Sequence, residues 1–199
     1  MLSLFDNKQL FDEGRKNYTR FQLADAELSL WERFFDKAES DRFYELLLNN
    51  TPWQQKERKM YDKIVVDPRL TAWYGEQEDK VWAPELLHIK ECVEVASGIK
   101  FDSVLLNLYR DGKDSVSWHS DKKTGSGVNP PIASVSFGET RAFHLRHKYN
   151  KQLKPFDIPL THGSFLLMAG PMQEFWEHHI PKSSRVIAPR INLTFRITI

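Results

Sequence analysis

Residues 190–199 read RINLTFRITI. Ile191, Leu193, Phe195, Ile197 and Ile199 alternate there with Arg190, Asn192, Thr194, Arg196 and Thr198. An alternation of period two marks a β-strand with one face in a core. The polar face then either meets water, as in many antiparallel sheets, or lines a pocket. Two arginines separated by Asn and Thr suit a pocket for an anion, because a guanidinium pairs with a carboxylate through two parallel hydrogen bonds. Six residues of strand span about 20 Å, more than a small dicarboxylate. Both arginines serve one ligand only if they reach inward or the strand bends.

Upstream, other short strand-like runs share this character. FDSVLLNLYRDG (101–112) is a strand running into a turn, PIASVSFG (131–138) is short and β-branched, and RAFHLRHK (141–148) follows it. FDIPLTHGSFLLMAG (156–170) contains one or two strands around His162-Gly163. Short strands at near-regular spacing predict a sandwich or barrel. Ahead of them lie two helical patterns. DKAESDRFYELLLNN (36–50) opens on Asp36 with Glu39 three residues on and stops at Thr51-Pro52. APELLHIKECVEVASG (83–98) has Pro84 in its first turn and Gly98 past its end. VDPRLTAWYGE (66–76) reads as a turn leading into a short aromatic strand, and residues 1–26 as a polar extension or loosely docked arm. The predicted class is α+β, mainly β: a jelly-roll core with the N-terminal helices packed on it.

The chain has 199 residues, 41% hydrophobic and 28% charged, which suits one domain with a sizeable core. No apolar run approaches the roughly 18 residues of a membrane span, and MLSLFDNKQLFDEGRK lacks the character of a signal peptide. The expected setting is cytoplasmic, or nuclear in a eukaryotic cell, with no membrane partner and a monomeric chain. The one cysteine, Cys92, excludes an internal disulfide and falls in a helical pattern as a buried, inert thiol. Net charge is +1, but residues 140–199 hold nine Lys/Arg against three Asp/Glu. That basic third either faces phosphates or is a solvated surface.

SVSWHSD (115–121) places His119 and Asp121 at i and i+2, on one face of an extended segment. With one more histidine they would make the two-His, one-carboxylate set that leaves metal coordination positions open for co-substrate and O2. FWEHHI (175–180) offers His178 and His179, which point to opposite faces of a strand, so parity allows one of them without choosing. His88 in a helix, His144 and His147 in a basic hairpin, and His162 at a turn are poorer candidates.

DPRLTAWYGE, FDSVLLNLYRDGKDSVSWHSD, PIASVSFGETRAF and RVIAPRINLTFR, in this order, resemble the AlkB family of iron(II)- and 2-oxoglutarate-dependent dioxygenases. The likeness is nearest to the mammalian AlkB-type nucleic-acid repair demethylases. It runs from about Leu28 to Ile199 and implies a dioxygenase domain over 27–199. Residues 27–100 would be helical support and nucleotide-recognition lid, and 101–199 the jelly-roll core. The family's W-x-H, twelve residues before the first Arg of R-x-N-x-T-x-R, matches Trp176-Glu177-His178 and Arg190. The implied iron ligands are therefore His119, Asp121 and His178. The implied 2-oxoglutarate residues are Asn107, Tyr109 and Arg190, with Arg196 near the end that chelates iron and Asn192 and Thr194 lining the pocket.

The activity so implied is oxidative demethylation of N-alkylated bases, such as 1-methyladenine and 3-methylcytosine, in DNA or RNA. Iron(II), 2-oxoglutarate and O2 would take part, and formaldehyde, succinate and CO2 would leave. The target base must be flipped or already single-stranded. The implied substrate residues are Trp53, Arg69, Trp73, Tyr74, Trp82, Lys122, Lys123 and Arg141. Here the sequence departs from the family in two places. The segment after WYGE is short, and Lys122-Lys123 stand where relatives carry acidic residues. An alternative reading keeps the oxygenase chemistry with a protein or small-molecule substrate.

Overall fold

The computed structural model describes residues 15, 17–60, 63–75, 81–121 and 129–198, with the side chains of 58–60 and 63–65 left aside. Among the described residues the elements run in the order β1 (Thr19–Phe21), β2 (Glu27–Trp31), α1 (Lys37–Asn50), β3 (Gln54–Met60), β4 (Lys63–Gly75), α2 (Pro84–Ser97), β5 (Ser103–Tyr109), β6 (Val116–His119), β7 (Ile132–Gly138), β8 (Arg141–His147), β9 (Phe156–Leu160), β10 (Ser164–Ala169), α3 (Met172–Phe175), β11 (Trp176–Ile180) and β12 (Arg190–Arg196). An eight-stranded sheet has the order β1-β2-β10-β7-β12-β5-β4-β3, and a four-stranded sheet the order β6-β11-β8-β9. This is the expected jelly roll with helices on one side.

The helices end where local chemistry ends them. The Asp36 carboxylate accepts from the Glu39 amide at 2.7 Å and caps α1. α2 begins at Pro84 and stops at Gly98, whose φ of 69° is the left-handed conformation that glycine adopts without cost. Phe43 and Leu47 of α1 and Leu86, Ile89 and Val93 of α2 bury against Val104, Leu106, Phe137, Leu193 and Phe195 of the large sheet. Cys92 is buried on this side, and loss of hydration pushes its thiol up from the ordinary value, so it stays protonated. The other face of the large sheet meets the small one through Leu28, Leu166, Met168, Phe143, Leu145, Trp176 and Ile180. β12 lies at the centre of the large sheet, between β5 and β7. Both of its faces are therefore covered, and its polar face is buried rather than solvated.

Two segments differ from expectation. β4 is thirteen residues long rather than short, and forms an edge hairpin with β3. Its Pro68 falls where the register shifts between Gln55 and Glu57, a bulge that tolerates a residue without an N–H. The polar, Lys/Arg-rich composition of 53–66 hid this edge pair, because neither of its faces had to read as apolar. Within the polar N-terminal stretch, Thr19–Phe21 pairs antiparallel with β2 and extends the large sheet.

Gly138 closes β7 at φ 87° and pairs across the sheet with Arg190. A Cβ there would collide with the Pro189 carbonyl oxygen and sit 2.8 Å from the Tyr44 ring. Left-handed strain and this clash together make Gly138→Ala destabilising by about 3 kcal/mol. Urea unfolding followed by circular dichroism measures the loss.

Candidate metal centre and co-substrate cavity

β6 and β11 are neighbours in the small sheet, and His119 and His178 are directly opposed across them. Opposed residues share a face, so both imidazoles point between the sheets, with ring centroids 4.4 Å apart. Asp121 follows His119 by two residues. One ligand atom from each of His119, Asp121 and His178 lies within 4.8 Å of the other two. The Nδ1 of His119 is 2.8 Å from the Ser117 carbonyl oxygen, which can only accept, so Nδ1 donates there and Nε2 is the nitrogen left to face a metal. His178 is buried against Phe143, and burial above all lowers its pKa to about 3. It is therefore neutral and able to donate a lone pair at any ordinary pH. Asp121 is held at both ends. Its amide donates to Gln173 Oε1 at 2.9 Å, and its Oδ1 accepts from Arg196 Nη2 at 2.6 Å. Two imidazole nitrogens and one carboxylate on one side of a point fit a divalent metal with open positions.

The triad opens into a cavity of about 610 Å³ that also reaches Asn107, Tyr109, Arg190 and Arg196. Arg190 is 1% exposed. Its Nη2 donates to Ser136 Oγ at 2.9 Å, while Nε and Nη1 have no partner among the described residues. Its guanidinium carbon stands 5.3 Å from the Tyr109 ring centroid. Burial lowers its pKa to about 10, so it remains charged near neutrality. A buried cation with two idle donors is costly unless an anion completes it. A carboxylate has the matching pair of acceptors. The two arginines sit at opposite ends of β12, Arg190 beside Tyr109 and Arg196 beside Asp121, so the strand need not bend to bring both to one carboxylate.

Residues 27–196 match the 2OG-Fe(II) oxygenase superfamily. The bovine alpha-ketoglutarate-dependent dioxygenase alkB homolog 3 is 42% identical over 183 residues, 82% of this chain and 63% of that protein. The human DNA oxidative demethylase ALKBH2 is 35% identical over 182 residues, 81% of this chain and 70% of that protein. The chain belongs to the AlkB family of 2OG-Fe(II) oxygenases. It spans less than two thirds of the length of its bovine alkB homolog 3 relative. A solved structure described as that of OsALKBH1 superposes with a TM-score of 0.62 at 15% identity, covering 90% of this chain and all of that one, and shows the shared fold. The reagents of this family are iron(II), 2-oxoglutarate and O2, and the donors of the triad and the idle donors of Arg190 fit the first two.

In this AlkB-family chain the other residues singled out in the sequence divide. Asn192 and Thr194 line the cavity, but they bond one another: Thr194 Oγ1 donates to Asn192 Oδ1, and Asn192 Nδ2 donates to Ser134 Oγ and the Val135 carbonyl. They hold the wall. Asn107 offers its Oδ1 to Arg69 Nε at 2.8 Å, and Arg69 also lines the cavity. Trp73 lies across from Leu105, a cavity residue, but is not itself part of the lining.

Four expected substrate residues lie elsewhere. Tyr74, next to Trp73, points to the opposite face of β4 and is buried in the helix-side core. Trp82 packs on Tyr74 there, and Trp53 packs on the same core with its indole N–H donated to the Leu48 carbonyl. These aromatics fill the space between sheet and helices, which is why they are not in the cavity. Arg141 is 5% exposed and donates to the carbonyls of Asp111, Asp114 and Pro181. It ties the turn before β6 to the end of β11 and does not present itself to a substrate. Lys122 and Lys123 lie outside the described residues.

The basic C-terminal third is likewise partly internal. Arg141, Arg190 and Arg196 are inward, Arg146 pairs with Glu177 at 2.6 Å, and Lys182 remains at the cavity wall. Gln173, which holds Asp121, had no signal in the sequence, because it comes from a one-turn helix. Ser134 and Ser136 did have one: they alternate on β7 as the partners of Thr194 and Asn192, but only once the strand pairing is known.

Proposed function

We propose that the protein removes methyl groups oxidatively from N-alkylated bases, such as 1-methyladenine and 3-methylcytosine, in DNA or RNA. His119, Asp121 and His178 hold iron(II). Arg190 and Tyr109 take the distal carboxylate of 2-oxoglutarate, and Asn107 and Arg196 flank the end nearer the metal. Bound iron and 2-oxoglutarate would supply the oxidising chemistry, while the chain orients them and burial keeps His178 neutral. The observation that carries this reading is the placement of a His-Asp-His face and a buried arginine with idle donors in one cavity. The chain that builds it is 35% identical to a relative named a DNA oxidative demethylase. The methyl group on a base edge reaches the cavity only from a single strand or a flipped nucleotide.

The working unit is residues 27–199, a monomer, with 27–100 giving helical support and nucleotide-recognition lid and 101–199 the core, and β1 adds an edge strand to its large sheet. No described helix is long and apolar enough to cross a membrane, and a nuclear or cytoplasmic setting goes with a nucleic-acid substrate. The test is a mass-spectrometric panel of methylated DNA and RNA oligomers, single- and double-stranded, with iron(II), 2-oxoglutarate and ascorbate. The expected result is loss of the methyl mass with formaldehyde and succinate in equal amounts. Release from none of the oligomers overturns the reading.

A further inference from the structure

Arg69 lies in the stretch that resembles a nucleotide lid, but among the described residues its side-chain hydrogen bond runs the other way, to Asn107. An arginine Nε–H can only donate. The amide atom 2.8 Å from it must therefore be the oxygen, so the NH2 of Asn107 faces away from Arg69. Asn107 is 5% exposed, lines the cavity and has no other hydrogen-bond partner for its side chain among the described residues. An unrestrained amide can turn over, exchanging donor for acceptor. Turned over, it would present an oxygen to an anion. The β4–β5 register makes the contact rigid: Thr71 is opposite Asn107 and Leu70 opposite Leu108, so Arg69 reaches Asn107 from the adjacent strand.

We propose that Arg69 is a positioning residue for 2-oxoglutarate, acting through Asn107 by locking its amide with the donor side toward the co-substrate. This rests on the co-substrate role given to Asn107 above. It moves Arg69 from the substrate to the co-substrate side of the site. A fixed, planar N–H suits this task, because it sets the polarity of the neighbouring amide.

The test is a double-mutant cycle read by calorimetric titration of 2-oxoglutarate into the oxygen-free, iron(II)-loaded protein, which needs no turnover. Asn107→Ala weakens binding about tenfold or more, as expected for a hydrogen bond to a charged group. Arg69→Met weakens it by a similar factor. The double variant is no weaker than Asn107→Ala within about threefold, because Arg69 has nothing left to orient. Arg69→Met also leaves affinity for a methylated oligonucleotide within about threefold of the parent. Where the Met variant does not fold, Arg69→Lys, which keeps the charge but not the fixed Nε–H, carries the same cycle. Additive losses, or a loss of oligonucleotide binding with 2-oxoglutarate affinity unchanged, overturn the proposal. No effect of Asn107→Ala alone overturns instead the co-substrate role of Asn107.

Discussion

His178→Ala loses bound iron and lowers turnover by more than about 100-fold, whereas His179→Ala keeps most of both. The two residues are adjacent, of one type and on one strand, so only their facing differs. His178 is opposed to His119, buried and neutral, with a carboxylate oxygen of Asp121 3.9 Å from its Nε2. His179 points out of the sandwich, stacked on Trp118 at 3.9 Å and edge-on to His144. Loss of a direct ligand exceeds the 10- to 100-fold effects that follow from changing an outer partner of a metal site. His179→Ala loses a ring contact worth about 1 kcal/mol, which appears as a lower unfolding midpoint and not as lost metal. Iron per chain by a chromogenic chelator and succinate per chain by mass spectrometry are the two readouts. The opposite pattern would mean that β11 is out of register by one residue, because a slip of one exchanges the faces.

That pair also shows how far the sequence could be read. Period two separated His178 from His179, put His119 with Asp121, and put Arg190, Asn192, Thr194 and Arg196 on one face. The jelly roll and the helices α1 and α2 were legible for the same reason: alternation, the Asp36 cap and the Gly98 stop are local, and local geometry needs no neighbours. Everything that depended on the covering layer was not legible. Whether the polar face of β12 met water or a cavity was decided by the small sheet, two of whose strands, β6 and β11, have four and five residues. Trp73 and Tyr74 had to face apart, but only the position of the helices shows that Tyr74 is the one in the core. In the sequence Arg141 is one more positive charge, whereas in the fold three carbonyls accept from it. A charge count cannot distinguish an arginine that binds backbone from one that meets a phosphate.

Arg190→Met abolishes measurable 2-oxoglutarate binding at concentrations that saturate the parent, yet leaves the ligand-free protein at least as stable. The two effects have opposite signs for one reason. Without ligand, the parent buries a guanidinium whose Nε and Nη1 have no partner among the described residues, with Ser136, the Tyr109 ring and the like charge of Arg141 near it. Methionine fills similar space without a charge to desolvate, and replacing a poorly satisfied buried ion by an apolar side chain is often neutral or stabilising. With ligand, the same guanidinium makes a charge-assisted pair in a dry site. Removing one partner of such a pair costs about 2–5 kcal/mol, or roughly 30- to several-thousand-fold in affinity. Thermal unfolding with and without 2-oxoglutarate reads both effects in one experiment. The parent gains midpoint temperature as ligand is added, by mass action on the folded state. The variant starts at the same midpoint or higher and gains nothing. A variant that starts lower and still responds to 2-oxoglutarate would make Arg190 a packing residue for Tyr109 and would place the carboxylate site elsewhere in the cavity.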